Sequence, residues 1–269
     1  MIKTEGKSAR YGKELHINPF DNQDITFNEA TYLAAENGRD CKLFKNIADY
    51  YRKKNNMNNV QLNFRKWSGG GSDFGSNLQN DSILSTNLLF AIADSDKWFD
   101  NGKIGKTAKS IKFIGHTRCN SDYYIMMNVM ELENLIPMNM IKRNFNTQTI
   151  IKLNDTSYFD FKEGLKRIYL YEKESRSYWK RITTDLSLDW TDVENDVRGK
   201  SESDYHNEIR GKKPLVNGFG SKLAEKILEK EVNNWDKVTD EELSANQRIE
   251  WEAIGKNIVS WCFSQNKRC

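Results

Sequence analysis

Carboxylates stand directly after two apolar stretches of the chain. The first stretch runs into Glu36, with Asp40 four residues later, and the second runs into Asp94, with Asp96 two residues later. Apolar runs of this length, bounded by Gly, Asn and Asp, are typical of buried strands in a parallel sheet. The carboxyl ends of parallel strands meet at one edge, which is where open α/β folds place their chemistry. We therefore expect the four carboxylates to converge on one edge of a sheet.

Such a set of acids predicts a bound cation. Asp94 and Asp96 are two residues apart, so along an extended chain their side chains lie on the same side and can hold one ion together. An all-oxygen ligand set suits a hard ion, and Mg²⁺ or Mn²⁺ is the expected cofactor. An Asp-x-Asp after a strand is also a common turn or helix cap. It is the two acidic strand ends in order, with a glycine turn at 69–72 between them, that favour a metal site.

A third acidic stretch follows the apolar residues 123–129. It carries Glu131 and Glu133 and ends at Pro137. Two interpretations stay open. The glutamates are strand-end carboxylates that join the same edge, or they stabilise the N-terminus of a helix that has Pro137 in its first turn.

Hydrophobic periodicity assigns the chain to the α/β class. The predicted strands are 29–35 and 88–93, which contain the apolar runs, and 60–67, in which apolar residues alternate. Apolar residues at helical spacing predict a helix from Asp40 to about Lys54. From residue 146 onward the chain is more polar and shows amphipathic helical patterns. We predict a mostly parallel sheet flanked by helices in residues 1–145 and a mainly helical region in residues 146–269.

Composition and charge limit the classes of protein to consider. The chain has 269 residues and a formal net charge of +3, which permits a nucleic-acid partner without requiring one. No apolar run approaches the length of a membrane span, and the first residues lack the apolar core of a signal peptide. The four cysteines show no C-x-x-C spacing, which argues against a zinc site or a disulfide framework. We expect a cytoplasmic protein with no membrane partner.

Three stretches of the chain resemble Toprim-domain nucleases. Residues 35–44, Ala-Glu-Asn-Gly-Arg-Asp-Cys-Lys-Leu-Phe, are similar to the V-E-G-x-x-D-x-x-F start of a Toprim domain, and residues 92–96, Ile-Ala-Asp-Ser-Asp, are similar to its D-x-D motif. Residues 131–137, Glu-Leu-Glu-Asn-Leu-Ile-Pro, resemble the E-I/L-E-N-Y/L stretch of Toprim-like nucleases in bacterial defence systems, including relatives of the overcoming-lysogenization-defect nucleases. The resemblance covers about residues 29–140. It departs from the family at Asn37, which replaces a Gly; Asn tolerates the left-handed backbone that Gly would supply.

The resemblance implies a metal-dependent endonuclease that hydrolyses phosphodiester bonds of DNA or RNA and is the effector of an anti-phage defence system. In Toprim enzymes the first Glu acts near the scissile phosphate, as general acid or base or as metal ligand, and the D-x-D pair holds Mg²⁺. Carried over, Glu36 takes the first role and Asp94 and Asp96 the second. Asp40 then matches a ligand of a second ion, and Glu133 completes the metal set.

Cationic side chains must also meet a phosphate backbone. Candidates are Arg65 before the glycine turn, Lys97 and Lys103 in a loop after the D-x-D motif that we expect to be mobile, and the basic group that ends at Lys213. In related nucleases a lysine from the second half offsets transition-state charge, and the resemblance makes Lys212 the candidate for that role.

The partners of such a protein follow from the same resemblance. The chain has no Walker lysine motif, so an ATPase partner would be a separate polypeptide. An unregulated nuclease would harm its host, which predicts a regulatory partner, and a homo-oligomer stays open. The alternative function is a non-catalytic Toprim-like module that binds nucleic acid or a partner protein and whose acids hold a structural ion.

Overall fold

A computed structural model describes residues 9–11, 14–16, 29–82, 86–114, 120–145 and 150–264. Within these ranges the chain forms two compact units, each discontinuous in sequence. The first unit contains the described residues of 1–95, 105–126 and 251–269, and the second contains those of 96–104 and 127–250. The sequence predicted a boundary near residue 145. Residues 127–145 group with the second unit, and the end of the last helix groups with the first.

The secondary structure alternates in the first part of the chain and is mainly helical in the second. The strands are β1 (Ala9–Tyr11), β2 (Glu14–His16), β3 (Thr31–Ala35), β4 (Gln61–Leu62), β5 (Phe64–Ser68), β6 (Leu89–Ala93), β7 (Ser121–Ile125), β8 (Gly164–Leu165), β9 (Val216–Asn217) and β10 (Phe263–Ser264). The α-helices are α1 (Asp40–Lys54), α2 (Phe74–Asn80), α3 (Lys106–Ile111), α4 (Met138–Asn144), α5 (Lys173–Ile182), α6 (Trp190–Val197), α7 (Glu202–Ile209), α8 (Leu223–Lys230) and α9 (Ala245–Cys262). The predicted helical second half is confirmed.

A four-stranded parallel sheet is the centre of the first unit. Its strand order is β5-β3-β6-β7, and every neighbouring pair is parallel. All five residues of β6 are buried, and β3 is buried at four of its five positions. Continuous apolar runs of this kind are expected of central strands that have both faces covered. The predicted α/β class, with a parallel sheet flanked by helices, is confirmed.

Two helices cover the sheet of the first unit through apolar faces. Helix α1 begins at Asp40 as predicted and buries Phe44 and Ile47 on its apolar stripe. In α9, Trp261 stacks on Phe90 of β6 with ring centroids 6.1 Å apart. A Cβ atom on Gly255 of α9 would lie 2.3 Å from Cβ of Tyr51 on α1, so the absence of a side chain lets these two helices approach closely. No helix among the described residues is long and apolar enough to cross a membrane.

Aromatic side chains fill the core of the second unit. Trp179 of α5 is fully buried and packs edge-on against Phe159 at 6.3 Å, and Phe159 packs in the same way against Phe161 at 5.5 Å. Edge-to-face arrangements of this kind add to the energy of area burial. The chain then enters the short antiparallel pair of β8 and β9. The segment that carries Phe159 and Phe161 is therefore held by aromatic packing and by the strand pairing that follows it.

Replacing Gly164 by Ala should destabilise the second unit. Gly164 has φ +92°, and a Cβ atom there would lie 1.9 Å from the carbonyl oxygen of Val216 and 2.6 Å from the amide nitrogen of Gly218. We expect a loss of at least about 3 kcal/mol in unfolding free energy, measured by urea denaturation. Gly211→Ala is the matched control, because Gly211 also has a positive φ of +83° but no atom within 4 Å of the added Cβ, and it should cost only about 1 kcal/mol. Equal losses in the two variants would contradict the close approach of β8 and β9.

Glu231 makes the stability of the second unit depend on pH. Its buried carboxylate accepts hydrogen bonds from Arg143 (2.7 Å), Asn144 (2.6 Å) and Asn234 (2.8 Å), and these bonds lower its pKa from 4.5 to about 2, the bond from Arg143 contributing most. Because the folded-state pKa lies below the unfolded one, the stabilisation is complete above pH 4.5 and is lost as the pH falls towards 2. Glu231→Gln should cost about 2 kcal/mol at pH 7 and progressively less below pH 4.5 in urea titrations. Glu229→Gln, at an exposed position of α8 just before Glu231, should change nothing. A loss in Glu231→Gln that is the same at every pH would contradict this prediction.

Candidate functional site

Two predicted site residues follow adjacent strands of the first unit. Glu36 is the first residue after β3, and Asp94 is the first residue after β6. The two strands are parallel neighbours, with Ala34 opposite Ala91. Extending this register by two residues places Glu36 opposite Ala93, next to Asp94. The two acids therefore leave the sheet at the same edge and at nearly the same level, as the sequence predicted.

The turn after β3 is held by Asp40 and by the glycine turn. One carboxylate oxygen of Asp40 accepts the backbone N–H of Asn37 at 2.9 Å, so Asp40 closes the turn that carries Glu36. The N–H of Gly71 donates to the carbonyl of Glu36 at 3.1 Å, and this bond ties the two turns together. Among the described residues, the non-glycine positions with positive φ are Asn56, Asp96 and Ser187. Asn37 is not among them, so this turn forms without the left-handed backbone that Asn would tolerate.

The second aspartate of the D-x-D motif belongs to the second unit. Strand β6 ends at Ala93, and Asp96 has a left-handed backbone with φ +55°. Strand alternation therefore does not apply to Asp94 and Asp96, and the argument that placed them on one side of an extended chain was wrong. The N–H of Asp96 donates to the carbonyl of Met130 at 2.9 Å, which connects it to the third acidic stretch. Burial raises the pKa of Asp96, and Lys162 opposes that rise.

A lysine joins the two glutamates of the third acidic stretch. The ammonium of Lys162 lies 2.9 Å from Glu131 and 3.1 Å from Glu133. Both glutamates are buried, with 7% and 3% of their surfaces exposed. Asp160, described below, also contributes a buried carboxylate. We call the set Asp96, Glu131, Glu133, Asp160 and Lys162 the acid–lysine cluster; all five residues belong to the second unit.

Local backbone structure holds the two glutamates in place. Glu131 stands at the N-terminus of a 3₁₀ helix, Leu132–Leu135, and Asn134 accepts the N–H of Glu131 through its side-chain oxygen at 2.9 Å. The side-chain amide of Asn134 donates to the carbonyl of Phe159 at 2.8 Å. The interpretation of Glu131 as a helix N-terminus is thus correct. The same interpretation is wrong about Pro137, which lies directly before α4 and not in the first turn of the 3₁₀ helix.

Asp160 shapes the turn that presents Lys162. One of its carboxylate oxygens accepts the backbone N–H groups of Lys162 (3.0 Å) and Glu163 (2.7 Å). The other accepts the hydroxyl of Tyr169 at 2.9 Å and pairs with Lys166 at 3.1 Å. Every oxygen of this buried carboxylate therefore has partners, as burial of a charge requires. Asp160 positions Lys162 and is not itself available to a ligand without losing these bonds.

The acid–lysine cluster has more carboxylates than cations. Burial, and after it the neighbouring Glu133, raise the pKa of Glu131 to about 8, while Lys162 works in the opposite direction. Two buried glutamates that share one ammonium are neutral as a group only when one of them holds a proton. A further cation would be electrostatically favourable there, and the oxygen donors suit a hard divalent ion. Among the described residues, however, no three His, Cys, Asp or Glu side chains are already arranged to hold a metal ion.

The predicted cationic residues have other partners than expected. Lys97 is buried, its ammonium donates to the carbonyl of Met127 at 2.8 Å, and it lies over the ring of Tyr158 at 5.3 Å. Its assignment to a mobile loop facing phosphate was wrong. Lys212 pairs with Asp196 at 3.1 Å, and in this structure Lys162, not Lys212, is the lysine that contacts the glutamates. The catalytic role of Lys212 stays a prediction.

Sequence reasoning missed Asp160 and Lys162. The available signal was weak: Asp160 stands between Phe159 and Phe161 in an aromatic run, and a carboxylate in such a run is expected to be buried and to need a partner. Nothing in the spacing indicates that the partner includes Glu131 through Lys162, about thirty residues away. These two residues became candidates only through their contacts.

No protein-family model, no curated protein and no solved structure matches this chain. The likeness to Toprim nucleases thus remains a likeness of short motifs, and the geometry of the two sets of acids carries the functional argument.

Proposed function

We propose that this protein is a Mg²⁺- or Mn²⁺-dependent endonuclease of the Toprim type that hydrolyses phosphodiester bonds of DNA or RNA, as the effector of a bacterial anti-phage defence system. The observation that supports it best is the position of Glu36 and Asp94, which directly follow neighbouring parallel strands at one sheet edge. That edge is where α/β enzymes place their reactive groups. The defence role rests on the resemblance of residues 131–137 alone.

The proposal gives each carboxylate a task. In the first unit, Asp94 and Asp40 are the proposed cation ligands, and Glu36 is the proposed general acid or base or a further ligand. For the second unit, the resemblance implies that Asp96 and Glu133 are also carboxylates that bind cations. A bound divalent ion supplies Lewis acidity and lowers the pKa of a water. The carboxylates neutralise the charge of the cation, and protein side chains orient the phosphate and transfer the proton. None of these tasks requires a covalent link between the protein and the nucleic acid.

Lys162 is our proposed charge-neutralising lysine, in place of Lys212. Its ammonium already touches Glu133, a proposed ligand, and it is about one-third exposed. An ammonium in this position can balance carboxylates before a cation binds and can face a phosphate oxygen afterwards. Lys212, held by Asp196 and Glu208, has two carboxylates of its own to neutralise.

A nuclease assay with defined metals tests the proposal. The full chain is incubated with plasmid DNA and with a labelled single-stranded RNA in Mg²⁺, Mn²⁺ or EDTA. We expect nicking or degradation of at least one substrate with metal and none with EDTA. Glu36→Gln, purified in parallel, should be inactive, whereas Asp192→Asn, which removes an exposed carboxylate of α6, should behave like the unaltered protein. Binding of nucleic acid without cleavage under every metal condition would favour the non-catalytic module.

A further inference from the structure

The second unit has an open groove outside the acid–lysine cluster. Its volume is about 770 Å³. It is lined by residues 171–174, 176 and 177 at the start of α5, and by residues 194, 195 and 197–200 at the end of α6 and in the turn after it. This volume lies within the range of natural ligand sites. None of the motifs identified in the sequence includes the residues that line this groove.

The acids that line this groove are largely neutralised from outside it. Glu172 pairs with Lys103 at 3.2 Å, and Glu194 pairs with Lys180 at 2.8 Å; neither lysine lines the groove. The pKa of Glu194 is lowered, first by the hydrogen bond from Lys180. These two carboxylates therefore contribute little negative charge to the groove. Glu174 is the remaining lining acid.

Three cations of the groove form no ion pair among the described residues, although Arg176 adds to the lowering of the pKa of Glu194. These cations are Lys173, Arg176 and Arg198, which line the groove. Against the single carboxylate of Glu174, these three cations leave two positive charges in excess. An excess of unpaired cations in a concave surface attracts anions.

An aromatic ring accompanies these cations. Tyr171 lines the groove, its ring packs against Tyr205 at 5.6 Å, and its hydroxyl donates to the carbonyl of Lys200 at 3.3 Å. The ring is thus fixed by two contacts. Fixed aromatic rings next to unpaired cations are the elements with which proteins bind nucleic-acid strands without reading their sequence.

We propose that this groove binds the phosphate backbone of a nucleic-acid strand. The inference rests on the proposed function for the identity of the strand, which is the substrate of the nuclease. The three unpaired cations come from two separate elements, α5 and the turn after α6, along an open groove. Such an arrangement follows a polyanion, whereas a small free phosphate is bound by several donors that converge on one point.

Binding without cleavage tests this proposal. The affinity of the full chain for a fluorescein-labelled 30-nucleotide DNA strand is measured in EDTA by anisotropy at several salt concentrations. Arg176→Gln/Arg198→Gln should weaken binding about 10-fold at low salt and reduce the slope of log K against log salt by about 1.4. Lys222→Gln/Lys230→Gln removes the same charge from exposed positions in and beside α8 and should leave both quantities unchanged. Melting temperatures of both variants should equal that of the unaltered protein.

Three results would overturn the proposal. They are an unchanged affinity and salt slope in the arginine variant, an equal loss in the lysine control, or displacement of the strand by millimolar AMP together with loss of AMP binding in the arginine variant. The last result would assign the groove to a free nucleotide. If the arginine variant cleaves and binds normally, the proposed function stands and the groove proposal fails. If that variant binds weakly and the unaltered protein cuts nothing, the groove proposal stands and the proposed function fails.

Discussion

Asp94→Asn should abolish metal-dependent cleavage, with a loss of at least about 10³-fold in rate. Asp94 leaves the sheet from its most completely buried strand, β6, directly beside β3, the strand that Glu36 follows. Asn keeps the volume of the side chain and its capacity to accept a hydrogen bond, but it lacks the charge that holds a divalent cation. The fold should therefore survive the change while the activity does not. Initial rates of plasmid nicking in saturating Mg²⁺ measure the effect.

The control for this prediction is Asp192→Asn, the same chemical change on an exposed helix position. Its rate should lie within about twofold of the unaltered protein. Circular dichroism and the melting temperature should be alike for both variants. If Asp94→Asn retains full cleavage while remaining folded, Asp94 holds no essential cation, and the assignment of the sheet edge to chemistry fails.

Lys162→Met should destabilise the second unit by about 2–4 kcal/mol at pH 7. The ammonium of Lys162 contacts both Glu131 and Glu133, which are buried, and its removal leaves two carboxyl groups without a cation. The lysine is about one-third exposed, so the loss should be smaller than for a fully buried pair. Lys230→Met, at an exposed position of α8, should cost less than about 0.5 kcal/mol. Urea denaturation gives both values.

A second substitution at Glu131 and the pH dependence of the stability loss make the prediction for Lys162 specific. Adding Glu131→Gln to Lys162→Met should recover part of the lost stability, because the second substitution removes one of the two buried carboxyl groups that are left without a cation. The folded-state pKa of Glu131, about 8, lies above its unfolded value of 4.5. Its contribution to stability is therefore complete below pH 4.5 and declines as the pH rises towards 8. Additive losses in the double variant, or a loss in Lys162→Met that is the same at pH 5 and pH 8, would show that the ammonium does not neutralise this pair.

Local patterns were sufficient to predict the sheet edge. The runs before Glu36 and Asp94 are continuously apolar, and such runs form central parallel strands whose ends share an edge. Helix α1 was predicted from Asp40 to Lys54 and is found with those bounds, since its apolar residues recur at helical spacing. Both features depend on neighbours in sequence or on a general rule of sheet topology.

The acid–lysine cluster could not be predicted, because it depends on contacts between distant segments. Lys162 reaches Glu131 only because Asp160 binds the backbone of the turn and Asn134 ties the glutamate segment to Phe159. The burial of Lys97 could not be predicted either, because a lysine in a polar stretch is normally solvated. Asp96 has a left-handed backbone just beyond the end of β6, and no pattern in the D-x-D motif indicates this conformation.

The most direct test of the central claim is the location of a bound cation. Crystals of the full chain are soaked in Mn²⁺, and anomalous difference density locates the ion independently of activity. We predict a peak within about 2.5 Å of a carboxylate oxygen of Asp94, lost in crystals of Asp94→Asn. Saturating Mn²⁺ that leaves Asp94 and Glu36 without a peak would contradict the claim that the acids at this sheet edge hold the cation of a nuclease.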